Sequence, residues 1–337
     1  MSSIAKAAKQ GKRPFKLLKG VSTLSDLADG ASSLSVLMQA GGLWYYCDPT
    51  NGSTSGDGLT AATANSNLET VYALLRDGYN DGVVFIGGAT SYQPSTAGGI
   101  VWSKSFAHLI GATNSLPGMG QRARIVNTAA NDLSVLFTLS GSGCMVANIQ
   151  FFDGKDSAAD GACLLVSGSR NHLVNCFVAG MGDATASGPF SRAGSYSAKV
   201  SGSENTFTDC TIGLDTIART AANAEAIVSG VRNRFNGCEF RSNSTTSTHL
   251  LVSIDNTADM RDVQFNNCLF FNYSTNWATG ITDAIGVSGG GATVFVIIDP
   301  LCQFVGVGMG VASTATHVYG SGAAPNAGFG ISTQPTT

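Results

Sequence analysis

A short apolar-Ser pattern, followed by Gly in five copies and by Ile in one, returns six times along this chain, and its spacing limits the possible folds more than any other feature. Leu139-Ser140-Gly141, Val166-Ser167-Gly168, Val200-Ser201-Gly202, Val228-Ser229-Gly230, Val252-Ser253-Ile254 and Val287-Ser288-Gly289 begin 27, 34, 28, 24 and 35 residues apart. A second signature follows. Asn171-x-Leu173-x-Asn175-Cys176-x-Val178 recurs as Asn205-x-Phe207-x-Asp209-Cys210-x-Ile212 and as Asn233-x-Phe235-x-Gly237-Cys238-x-Phe240. Phe265-x-Asn267-Cys268-x-Phe270 keeps its centre, and Val146-x-Asn148-Ile149-x-Phe151 carries Ile in place of Cys. Cys302-x-Phe304 is a degenerate last copy with Asp299 at the leading apolar position, as terminal repeats often are.

Apolar and polar residues alternate around each Cys, the period of a strand with one buried face. One such strand cannot bury that face alone, but stacked copies join their faces into a continuous interior. The helical period is absent, so an α-solenoid does not fit and a parallel β-helix is expected, an all-β solenoid. Cys176, Cys210, Cys238 and Cys268 then form an interior ladder with rungs about 4.8 Å apart. That distance permits disulfides, but parallel Cβ directions suit their torsion poorly. The thiols read as small buried apolar groups. The alternative, a metal site, would want the CxxC pairs and His ligands that zinc usually takes, which are missing.

Composition agrees. Charged residues make up 12% of the 337 and Gly 42 of them, against roughly 25% charged in an ordinary domain. No run of about eighteen apolar residues could span a membrane, and the first residues lack a secretory signal pattern. A product made in a cytoplasm, with free thiols, is the expectation.

In the first half, Trp44-Tyr45-Tyr46-Cys47 reads as a strand leading into a turn-rich run from Asp48 to Gly58. Ser66-x-x-Glu69 has the spacing of a capping box. Leu68, Val71, Tyr72 and Leu75 follow at helical spacing, with Gly78 as a stop. An amphipathic helix over 66–77 would cover the open end of the first coil. Val83-Val84-Phe85-Ile86 reads as a buried strand, and the stretch to about Ile125 as less regular early turns.

The run Asp48-Pro49-Thr50-Asn51-Gly52-Ser53-Thr54-Ser55-Gly56-Asp57-Gly58-Leu59, the helix, and Asp81-Gly82-Val83-Val84-Phe85-Ile86-Gly87-Gly88 together resemble the opening of pectate-lyase-like β-helix proteins of tailed bacteriophages. The resemblance is specific over 43–90 and architectural beyond. It implies a right-handed parallel β-helix, a virion location and, as that family's usual state, a homotrimer. The family includes glycan-cleaving tailspikes, host-binding fibres and head-decorating proteins, so it implies no single activity.

No catalytic residue set emerges. A glycan hydrolase needs two carboxylates across a cleft. Asp153, Asp156 and Asp160 are the densest acidic group, read as a solvated loop. A lyase would need an Arg or Lys base beside calcium-binding carboxylates; Arg170, Arg192 and Arg219 occupy plausible loops, but the sequence does not join them. Ser288 in Gly286-x-Ser288-x-Gly290 matches the nucleophile-elbow spacing, yet sits at the repeat's own Ser position. His108, His172, His249 and His317 are scattered. Asp48-x-Thr50-x-Gly52 departs from a calcium loop, with Leu59 where the bidentate Glu belongs. No metal or cofactor is expected.

Six basic residues, Lys6, Lys9, Lys12, Arg13, Lys16 and Lys19, precede Gly20 with no acidic one among them, leaving 13 basic and 22 acidic groups behind. With Phe15, Leu17 and Leu18 they suggest that residues 1–42 are an arm on an acidic partner surface, the major capsid protein or another virion protein. Leu24, Leu27, Leu34 and Leu37 could fill apolar pockets there. A solvated tail and a nucleic-acid arm are the other readings, the latter predicting steep salt dependence. The expected organisation is arm 1–42, strand, loop and cap 43–90, turns 91–304, and a Gly/Ala/Ser-rich coil or tail 305–337. The favoured function is a structural virion protein assembled in the host cytoplasm, a capsid decoration or head fibre. The alternative is a tailspike-type protein that binds or depolymerises host surface polysaccharide.

Overall fold

In the computed structural model, residues 41–95, 98–112, 123–127, 133–154, 162–183, 188–255, 262–273, 281–288, 294–308, 310–312 and 316–320 are described. The strands lie in three parallel sheets. The first has ten, from Trp44–Cys47 to Thr316–Gly320; the second has eight, from Arg124–Asn127 to Gln303–Val305; the third has eight, from Ile100–Trp102 to Gly310–Ala312. One coil shows the path. His172–Val174 in the first sheet leads to Phe177–Ala179 in the second and Tyr196–Val200 in the third. Thr206–Thr208 then returns to the first sheet, parallel to His172–Val174 and in register with it. The result is a right-handed parallel β-helix.

The corner between first and second sheets corrects the expectation of one strand running through each Cys. Asn148, Asn175, Asp209, Gly237 and Asn267 adopt φ of 56°, 47°, 51°, 62° and 50°. This left-handed conformation is open to Gly and tolerated by Asn and Asp. It bends the chain, so each apparent strand is two short ones meeting at the corner. Cys176, Cys210, Cys238 and Cys268 follow these bends and turn inward, each 1% exposed. They occupy the same place in successive turns, because Leu173, Phe207, Phe235 and Phe265 pair in register.

The corner between third and first sheets explains the Gly of the repeat. A Cβ on Gly168 would lie 1.9 Å from the Gly141 carbonyl oxygen, on Gly202 1.8 Å from that of Gly168, and on Gly230 1.9 Å from that of Gly202. Only hydrogen fits between backbones stacked this closely. Beside the glycines runs a buried amide ladder. Asn171 Oδ1 accepts the Cys144 N–H at 2.8 Å, Asn205 Oδ1 that of Asn171 at 2.9 Å, and Asn233 Oδ1 that of Asn205 at 2.9 Å. Each Nδ2 donates to a glycine carbonyl, Gly141, Gly168 or Gly202. Groups that would otherwise be buried without partners are satisfied turn by turn.

Two repeat assignments shift. Val228 pairs with Ile254, not Val252, so Val252-Ser253-Ile254 sits two residues out of register with the other copies. A slip of two keeps the same face inward, which is why the pattern concealed it. Phe265 pairs with Ile298; the last turn therefore keeps its leading apolar residue and inserts one more before Cys302. Inside, Phe207, Phe235 and Phe265 stack at 4.9 and 5.2 Å, and Phe240, Phe270 and Phe304 at 5.1 and 4.7 Å. Burying one such ring contributes about 1.5–3 kcal/mol.

The capping helix spans Leu68–Leu74, shorter than 66–77. Its N-cap is Asn67, whose Oδ1 accepts the Thr70 N–H at 2.9 Å, rather than Ser66. Glu69 instead accepts the Tyr92 hydroxyl at 2.7 Å and the Ser95 hydroxyl at 2.6 Å. Leu68 and Val71 are fully buried. Lys104, from the following coil, donates from Nζ to the Tyr72, Ala73 and Leu75 carbonyls at 3.0, 3.0 and 2.6 Å. A cation thus meets the negative helix end.

Residues 1–40 lie outside the described residues, so the arm Lys6, Lys9, Lys12, Arg13, Phe15, Lys16, Leu17, Leu18 and Lys19 has no structural account. In the stretch expected as coil or tail, Gly310–Ala312 and Thr316–Gly320 extend the third and first sheets.

Candidate functional site

One cluster gathers side chains of chemical consequence. In the third sheet, Ser197 and Glu225 occupy equivalent positions of neighbouring strands, beneath the loops that arrive from the second sheet. Glu225 is a charge in an otherwise apolar strand, Ala224–Val228. Arg219 Nε donates to Glu225 Oε1 at 2.8 Å and Ser197 Oγ to Oε2 at 2.6 Å. The guanidinium also reaches the Met181 carbonyl at 2.8 Å and that of Gly180 at 3.2 Å. His249 lies between Ser242, 2.9 Å from Nε2, and Asn223, 2.6 Å from Nδ1.

The Asn223 amide fixes the imidazole tautomer. Its Nδ2 donates to the Phe190 carbonyl at 2.8 Å, so Oδ1 faces His249 and can only accept. Nδ1 therefore carries the hydrogen and Nε2 accepts from the Ser242 hydroxyl. Burial, then the nearby Arg219 charge, pushes the His249 pKa down to about 3. The ring is neutral near pH 7, and a weak base.

Ser242, His249 and Asn223 have the connectivity of a nucleophile, a base and an orienting group. Yet Ser197, Arg219, Glu225, Ser242 and His249 are all 0% exposed, and a solvent-borne substrate meets none of them. The cluster ties Gly180, Met181 and Phe190 of one turn to the stretches 213–223 and 245–249 of the next two.

Other groups singled out in the sequence stay apart. Asp153 is 1% exposed and accepts Asn127 Nδ2 at 3.0 Å, so it is buried rather than solvated. Asp156 and Asp160 lie outside the described residues. Arg170 stands at an outer corner, donating to Glu204 at 2.6 Å, with Arg232 on the other Glu204 oxygen at 2.7 Å. The two arginines hold the Glu204 carboxyl below its ordinary range. His108 Nδ1 accepts the Met145 N–H at 3.0 Å, and burial lowers its pKa to about 4. Ser288 is exposed at the end of its strand. Asp48 Oδ1 accepts the Thr50 and Asn51 N–H groups, closing a turn. Among the described residues no three or more His, Cys, Asp or Glu side chains gather as metal ligands, and no helix is long and apolar enough to cross a membrane.

Of the cluster, sequence reasoning named Arg219 and His249 separately and missed Glu225, Ser197, Ser242 and Asn223. The available signal was Glu225 itself, a carboxylate between two alanines just before Val228-Ser229-Gly230.

No family description matches the sequence, and no curated protein does. Among solved structures the fold is similar to pectin methylesterase PemA from Erwinia chrysanthemi, with a TM-score of 0.51 and 12% identity over 86% of this chain and 92% of that one. It is also similar to the carrot pectin methylesterase, with a TM-score of 0.50 and 11% identity over 86% and 88%. The Aspergillus niger pectin methylesterase gives 0.50 and 11% over 88% and 91%. What this chain shares with these proteins is their architecture, the right-handed parallel β-helix of the pectin lyase-like fold.

Proposed function

We propose that this chain is a structural protein of a tailed-bacteriophage virion, a capsid decoration or head fibre. In this reading residues 1–42 anchor it to the major capsid protein or another virion protein, and it assembles as a homotrimer. One observation carries the non-catalytic part: the densest set of reactive side chains among the described residues, Ser242, His249, Glu225 and Arg219, is sealed from solvent and holds loops together. The virion part rests on the resemblance of residues 43–90 to phage β-helix proteins. The strand, loop and end-covering helix of that stretch give it physical support.

The test is to purify particles from the phage whose genome encodes the chain, detect the protein by mass spectrometry, and map its density. The expected result is density on the shell that is lost when residues 1–42 are deleted. Absence from particles, or undiminished attachment after that deletion, refutes the assignment. Density at the tail tip together with shortening of host polysaccharide by the purified protein selects the tailspike reading instead.

A further inference from the structure

Five thiols share one interior column, and the last differs from the rest. Cys176, Cys210, Cys238 and Cys268 are 1% exposed, whereas Cys302 is half-buried at the column's end, beside Leu301 at 64% exposure. Its corner differs too. The other four follow a residue of positive φ. Cys302 instead follows a turn closed by its own N–H on the Asp299 carbonyl at 3.0 Å and by the Leu301 N–H on Asp299 Oδ1 at 2.8 Å. The Cys302 Sγ lies against the backbone of the turn below, accepting the Cys268 N–H at 3.3 Å. Leu269 and Gln303 pair in register, so the two cysteine Cα atoms stand about one strand spacing apart, roughly 4.8 Å. Disulfides span about 4.4–6.8 Å between Cα atoms.

We propose that Cys268 and Cys302 form a redox-modification site, closing to a disulfide that fastens the last turn to the one before it. Cys302 reacts first because solvent reaches it. With a small disulfide such as oxidised glutathione, the Cys302 thiolate attacks one sulfur and expels a small thiolate, leaving a mixed disulfide. The Cys268 sulfur then attacks Cys302 Sγ, and the second small thiolate leaves. Two cysteines are oxidised, one small disulfide is reduced to two thiols, and the cysteine protons pass to those thiols. Contact with the Cys268 thiol raises the Cys302 pKa, so the exchange accelerates as pH rises above neutral.

The full-length protein, incubated with oxidised glutathione, alkylated and digested, tests this. The expected product is a Cys268–Cys302 cross-linked peptide and the loss of two hydrogens from the intact mass. It forms faster at pH 9 than at pH 7, is abolished in Cys302→Ser and persists in Cys47→Ala. The oxidised protein should also unfold at higher denaturant than the reduced one, a difference absent in Cys302→Ser. A stable glutathione adduct without the cross-link, no reaction at all, or a bond between other cysteines overturns the proposal.

Discussion

Arg219 and Glu225 meet at 2.8 Å with neither side chain reaching solvent. A buried pair of this kind adds little net stability over an apolar pair of the same volume, but losing one partner strands the other's charge. Glu225→Gln should therefore lower unfolding free energy by about 3–5 kcal/mol, whereas Arg219→Met with Glu225→Leu should lose much less. Urea titrations of the single and double variants measure this. Equal losses in both would show that the loops are held by something other than the pair.

Asn205 is the middle rung of the amide ladder. Asn205→Ala removes the acceptor for the Asn171 N–H and the donor to the Gly168 carbonyl, leaving two buried groups unpaired at about 1–3 kcal/mol each. Hydrogen exchange should speed up at the Asn171 amide before the rest of the solenoid responds. Unchanged protection there would mean that another group, such as water, takes over the bond.

Gly202→Ala places a methyl group 1.8 Å from the Gly168 carbonyl oxygen. Backbone, not a flexible side chain, would have to move, so a loss of at least about 3 kcal/mol is expected. Gly98, where an added methyl would meet only open space, serves as the control: Gly98→Ala should be close to neutral by thermal melting.

Acid should destabilise the fold through its buried histidines. His249 has its pKa lowered to about 3 and His108 to about 4, in both cases mainly by burial. Between those values and the ordinary 6.5, the unfolded chain binds protons that the folded chain refuses. The contribution to stability is complete above pH 6.5 and is lost as pH falls toward 3. Each imidazole adds up to about 1.4 kcal/mol per pH unit. Denaturation midpoints from pH 7 to pH 4 should fall, and His249→Asn should flatten the slope. An unaltered slope in that variant would exclude His249 as a source.

The sheets and the Cys column were legible in the sequence because stacking demands like residues at like places. Val166, Val200 and Val228 repeat because they line one interior wall. The meaning of Asn175 and Gly237 was less legible: one strand and two strands bent at a single residue share the same alternation, and only φ separates them. The buried cluster was least legible. Asn223, Glu225, Ser242 and His249 belong to different elements, and no period links them. Their meeting depends on loop paths that local sequence does not specify.

Of the three corners of each coil between Leu139 and Ile254, two are locked and one is free. Between Leu139 and Phe240 the left-handed bend before Cys176 and the carbonyl-packed Gly168 leave no slack, and the chain crosses each in the same number of residues every turn. In this part of the solenoid the variation in coil length collects along the remaining edge, between Ala179 and Tyr196, Ile212 and Ala224, and Ser244 and Leu250, whereas beyond Ile254 the passage to Phe265 is four residues longer than that from Val228 to Phe235. This stretch is in effect a rod of fixed gauge with one editable side. Extra peptide grafted between Thr245 and Thr248 would be carried outward on that side while the shaft kept its pitch.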